Sequence, residues 1–132
     1  MAFLIHTVEG GHIPAWEYHP AGEITPGIGK AMTMSSGALA VAGGTTRPQY
    51  ICMTERDAAV TSGTMIPVVR VTEDIIFECE AAVSMAAIKA GDKVTLSADG
   101  MSVTATTTGG IAEIVEICGT GAVGDGVRVR FS

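Results

Sequence analysis

From Gly29 onward, apolar and polar residues alternate with period two, and Gly, Ser and Asp interrupt the alternation at short intervals. Ala31-Met32-Thr33-Met34, then Ser35-Ser36-Gly37, then Ala38-Leu39-Ala40-Val41 predicts a strand, a tight turn and a returning strand. The same grammar recurs at residues 92–96, turning at Ala98-Asp99-Gly100 and returning over residues 101–105. Asp-Gly is a favoured hairpin turn because glycine reaches positive φ without steric penalty. Phe77 and Cys79 alternate with Glu78 and Glu80, which predicts a strand with one wet face. Residues 81–90 are Ala-rich, with Val83, Ala86, Ala87 and Ile88 near helical spacing and Gly91 as a stop, so one short helix of about two turns is expected there.

The pattern suggests an internal repeat. Gly29 through Leu39 parallels Gly91 through Val103, Thr45-Thr46 parallels Thr107-Thr108, Ile51-Cys52-Met53 parallels residues 114–117, and Val68 through Val71 parallels residues 127–131. An offset of about sixty residues with small gaps fits two copies of one β unit, residues 29–71 and 91–131. The expected fold is all-β and mainly antiparallel: a small β-barrel or sandwich from two similar halves with one short helix. Residues 28–132 then form a single β domain. Residues 1–27 differ: they hold His6, His12, His19, Trp16, Tyr18, Pro14, Pro20, Pro26 and the Gly10-Gly11 pair, and they predict an extended N-terminal arm.

Composition narrows the function. With 47% hydrophobic and 17% charged residues over 132 positions, the chain has the makings of a folded domain with a real core. Aromatic residues are only 5%, which disfavours an aromatic-lined binding cleft. The net charge is −6 and the basic residues are scattered, so direct nucleic-acid binding is not expected. No apolar run has the length of a membrane span and the first residues lack a signal-peptide pattern, so no membrane association is expected. The three cysteines, Cys52, Cys79 and Cys118, lie far apart without CxxC spacing and read as free thiols in a reducing compartment.

No pattern in the chain specifies catalysis, so an enzyme is not expected. All three histidines fall in the Pro- and Gly-broken arm, where neither a catalytic base nor a tetrahedral metal site is preorganised. Catalytic, cofactor-binding and metal-binding residues are therefore expected to be absent. An enzyme would need the arm histidines docked beside Glu113, Glu116 or another carboxylate. Glu78 and Glu80 share a strand face and read as solvated, while Arg70, Arg128 and Arg130 alternate with Val and are positioned to pair with acids across a sheet. Gly119, Gly121 and Gly124 satisfy GxGxxG, but the segment leads into a strand rather than a helix and reads as a turn between the last two strands. The methionines read as adaptable core filler.

One set of segments carries a resemblance. Ala21-Gly22-Glu23-Ile24 before Gly29-Lys30-Ala31-Met32, the Ser35-Ser36-Gly37 turn, Arg47 through Ile51, Ile66 through Val71, Gly91 through Leu96, Ile111 through Glu116 and Val127 through Phe131 together resemble the head decoration, or capsid cement, proteins of tailed phages and prophages. The resemblance spans most of residues 21–132 and rests on scaffold segments, so no functional residue is carried over from it. It implies a non-enzymatic virion protein, made in the bacterial cytoplasm, that binds the outside of the expanded capsid. Its partner is then the major capsid protein, and it acts as a homo-oligomer, a trimer at local three-fold positions. The apolar side chains of the arm supply candidate partner contacts at Phe3, Ile5, Trp16 and Tyr18, the competing reading being an arm folded back on its own barrel. Two other readings compete: a tail-tube, head-completion or other phage structural protein, and a small ligand- or carbohydrate-binding β-barrel with a concave polar site.

Overall fold

The computed structural model describes residues 2–132; Met1, the first residue of the expected arm, lies outside the described residues. Ten strands form two five-stranded sheets. They are β1 (Leu4–Val8), β2 (Trp16–Pro20), β3 (Ala31–Ser35), β4 (Ala38–Val41), β5 (Tyr50–Cys52), β6 (Met65–Arg70), β7 (Ile75–Glu80), β8 (Lys93–Val94), β9 (Ala112–Ile117) and β10 (Gly126–Phe131). One sheet runs β1-β7-β10-β9-β8 and the other β2-β6-β5-β3-β4, with every ladder between named strands antiparallel.

The hairpin β3–β4 forms where the alternation places it. Ser36 and Gly37 both take positive φ, 51° and 80°, the geometry that matches a two-residue turn to the twist of its strands. The second hairpin is shorter than its sequence suggests. Beyond β8 it continues without a regular ladder, through a Leu96–Val103 bridge, the Thr104 N–H donating to the Thr95 carbonyl and the Ser97 N–H to the Ser102 carbonyl, both at 2.9 Å, and the Thr95–Thr104 hydroxyl contact at 2.6 Å.

A common strand order links the sheets. In one, β6 lies between β2 and β5, with β3 beyond β5; in the other, β10 lies between β7 and β9, with β8 beyond β9. Each run also bends back on its first strand. Ala21, just after β2, forms a parallel bridge with Leu39 of β4, and the Gly22 N–H donates to the Leu39 carbonyl at 3.0 Å. After β7, the Ser102 hydroxyl donates to the Glu80 carbonyl at 2.8 Å.

The main core lies between the sheets. Ala31, Ile51 and Val69 of one sheet join Phe77, Ile114, Val127, Val129 and Phe131 of the other in a single buried cluster. β7 and β10 bury alternate residues, as expected for a sheet with one wet face. β5 buries all three of its residues, because a second cluster of Met32, Leu39, Tyr50, Cys52, Ile66 and Val68 fills the opposite face of its sheet. Loops cover that cluster with Ile24 and Val60, tied together by the Val60 N–H donating to the Ile24 carbonyl at 2.9 Å.

Two expectations are corrected. Residues 81–90 contain no helix, and none occurs among the described residues. Ten residues are too few for a self-sustaining helix, and tertiary contacts claim this segment instead. Met85 and Ile88 are buried in the main core, the Ala81 N–H donates to the Asp125 carbonyl, and the Met85 N–H donates to the Gly121 carbonyl at 2.7 Å. The second correction concerns the expected extended arm. Residues 4–8 and 16–20 are ladder strands, β1 on β7 and β2 on β6, with Phe3 buried beside them. Pro20 is tolerated in β2 because that strand is terminal in its sheet.

Candidate interaction surface

β2 carries the most exposed aromatic side chains among the described residues. In an antiparallel ladder directly opposed residues share a face. Trp16 opposes Val69, Tyr18 opposes Pro67 and Pro20 opposes Met65. Trp16 is 54% exposed, Tyr18 58% and Met65 54%, although all three share the face on which Val69 is buried. The outcome is a strip of two aromatic rings and a thioether along the edge of the sheet, with Ile13, 92% exposed, three residues before Trp16.

The other face of β2 is polar and self-satisfied. Glu17 accepts two hydrogen bonds from Arg70, from Nε at 3.0 Å and from Nη2 at 2.9 Å, and its Oε1 lies 3.1 Å from His19 Nε2. These hydrogen bonds, first that of Arg70 and then that of His19, hold the Glu17 carboxyl below its usual range. Arg70 also stands over the Tyr50 ring at 5.1 Å, and His19 meets the same ring at 4.9 Å. Each charge on this face has a partner, so its chemistry is structural.

The four candidate contacts separate in space. Trp16 and Tyr18 lie together on β2. Ile5 is on β1 in the other sheet, opposite Phe77, and is exposed. Phe3 is only 1% exposed, its ring edge-on to Phe131 at 5.2 Å, so in this fold it is a core residue and offers no surface to a partner.

Elsewhere, the wet face of the first sheet is laced with ion pairs. Arg128 donates to Glu78 at 3.0 Å and to Glu116 at 3.2 Å, and Arg130 pairs with Glu9. Pairing of Arg128 with Glu78 and Glu116 follows from the alternation of the strands. The partners of Arg70 and Arg130, Glu17 and Glu9, were hidden because they lie in the segment read as an arm. Its one legible signal was Trp16-Glu17-Tyr18-His19 itself, a period-two alternation of aromatic and polar residues.

Two clefts stand out among the described residues. One, of about 170 Å³, is lined by His12, Pro14, Ala15, Glu17, Arg70, Thr72 and Ile75. The other, of about 230 Å³, lies beside Glu80, Ser97, Asp99 and Ser102. Asp99 accepts from the Ser97 hydroxyl at 2.7 Å, which holds its carboxyl below the usual range. Both clefts fall short of the roughly 300 Å³ at which small-molecule sites begin. No protein-family model matches the chain, and no curated protein matches it either.

Proposed function

We propose that this protein is a non-enzymatic structural protein of a tailed-phage or prophage virion that docks on the outside of the expanded capsid, with the major capsid protein as its partner. The two sheets act as a rigid sandwich-like body, and a small homo-oligomer is the form that binds. The observation that carries the reading is the half-exposed Trp16, Tyr18 and Met65 strip on β2. Trp and Tyr dominate the energetics of protein interfaces, and a strip on a ladder strand is held rigidly, so little ordering entropy opposes docking. The scaffold segments that resemble head decoration proteins supply the class of partner. The acidic net charge of −6 suits a position away from packaged DNA. A protein that binds the expanded lattice better than its precursor stabilises that lattice by the difference alone.

The test is co-sedimentation of the full chain with expanded capsids of the neighbouring major capsid protein, beside a W16S/Y18S variant and a V123S control on a distant loop. Deleting the first twenty residues is a poor test, because it removes β1, β2 and the buried Phe3. Saturable binding by wild type and V123S, weakened tenfold or more in W16S/Y18S, is the expected result. No binding by wild type, or equal binding by all three, overturns the proposal.

A further inference from the structure

β2 has an open edge. In an antiparallel strand the N–H and the carbonyl of one residue point to the same side, and the side alternates along the chain. The Ala21 N–H donates to the Thr64 carbonyl at 2.8 Å, toward β6, and the Gly22 N–H to the Leu39 carbonyl at 3.0 Å, away from it. Glu17 and His19 therefore turn their backbone groups to β6, and Trp16, Tyr18 and Pro20 turn theirs outward. β4 closes that side only past Pro20, at the Ala21–Leu39 bridge, and no strand among the described residues pairs with the outer edge of residues 16–20.

In the other sheet the same edge is filled. Pro20 opposes Met65 as Glu80 opposes Gly126, and the Ala81 N–H donates to the Asp125 carbonyl at 2.8 Å as that of Ala21 does to Thr64. Tyr18 thus takes the place that Glu78 has in β7, and Glu78 pairs with Leu4 of β1. The shared frame accepts a strand at this edge, which β1 covers on β7 and which is open on β2.

We infer that β2 pairs edge to edge with β2 of a second copy of this chain, antiparallel about a two-fold axis at Tyr18. In this register the Tyr18 N–H donates to the carbonyl of the partner's Tyr18 and the Trp16 N–H to that of the partner's Pro20, each reciprocally. Both outward donors are then satisfied, and Pro20, which has no N–H, only accepts. On the polar face Glu17 opposes the partner's His19, so a carboxylate meets an imidazole rather than its own kind. Sliding the strands by two residues one way would oppose Glu17 to the partner's Glu17; sliding them the other way leaves Trp16 without an acceptor. The Trp16 and Tyr18 rings of both copies fall on one face of a continuous sheet. The pairing rests on the backbone edge and its register, not on the proposed docking role.

Sedimentation equilibrium of the full chain alone, from about 1 μM to about 1 mM, tests it without any capsid. Wild type is expected to associate reversibly to a dimer. Y18A, which loses the ring and keeps the N–H, should still dimerise, whereas Y18P, which removes that N–H from both copies, should weaken the dimer about tenfold or more, with thermal midpoints confirming that both fold. The register is read by mild oxidation in a C118S background, which removes the partly exposed thiol. Directly opposed, hydrogen-bonded residues have Cα atoms about 5.5 Å apart, within disulfide reach, so Y18C/C118S should crosslink to a dimer and W16C/C118S should not. A monomer throughout the range, a trimer, a dimer indifferent to Y18P, or equal crosslinking of the two cysteine variants overturns the proposal. So does equal loss in Y18A and Y18P, which would assign association to the ring.

Discussion

Phe3 and Gly29 form one steric unit. A Cβ added to Gly29, at φ +84°, would stand 2.6 Å from the Phe3 carbonyl oxygen and 2.8 Å from its nitrogen, while the Phe3 N–H donates to the Gly29 carbonyl at 3.0 Å. Phe3→Ala should therefore destabilise the fold by about 3–5 kcal/mol in urea unfolding, the usual range for emptying a buried phenylalanine site. A loss below about 1 kcal/mol would contradict the burial of this ring. Glu17 carries a pH signature. Its carboxyl is held below the ordinary 4.5, so the stabilisation it gives is present above that value and fades as the pH falls through its folded titration. E17Q is accordingly expected to be less stable than wild type at pH 7, with the two thermal midpoints converging in acid. The thiols differ in access: burial pushes Cys79 up to about 11 and raises Cys52, and Cys118 is raised yet partly exposed. A thiol reagent at neutral pH should modify Cys118 first and slowly, and reach the other two only on unfolding.

At the scale of elements, the strands that alternate cleanly were legible in the sequence and the segments that draw their structure from elsewhere were not. β7 and β10 show their period because one face is buried and the other less so, whereas β3, with Ala31 in one cluster and Met32 in the other, was legible from its flanking turn. The 81–90 segment has good helical propensity, yet its backbone is bonded to residues 121 and 125, some forty positions away, and no local pattern reports that. G121V tests this dependence. Gly121 has φ +78°, and a Cβ there would meet the Met85 carbonyl carbon at 2.9 Å, so the substitution should cost about 2 kcal/mol or more in chemical unfolding. A neutral result would detach the 81–90 segment from the 119–126 turn. β1 and β2 escaped notice because His6, Pro14, Pro20 and two adjacent glycines break the pattern around them. A bulge between Ile5 and Thr7 further shifts the β1 register, moving it off simple alternation. Of the candidate surface, Trp16 and Tyr18 were legible as apolar groups needing a place; their position on a ladder strand, and the burial of Phe3, depend on β6 and Phe131.

Across the whole molecule, β1 and β2 divide the first twenty residues between two sheets, so the N-terminus fastens the layers together rather than trailing from them. The shared strand order gives each sheet a similar four-strand frame, to which β1 is added at the end of the first and β4 at the end of the second. Ion pairs lie on the faces of both sheets, Glu17 with Arg70 and Arg128 with Glu78 and Glu116, and the β2 strip is an apolar feature beside them. Such a strip is the feature on which the proposed docking role rests. Trp16 is the only tryptophan in the chain, so its fluorescence reports on that strip alone. The most direct measurement is the emission and acrylamide quenching of Trp16 during titration with expanded capsids, with the capsid signal removed by subtracting a parallel titration of W16F. A blue shift with quenching reduced at saturation is the predicted result. Binding that leaves Trp16 as red and as quenchable as in the free protein would contradict the account.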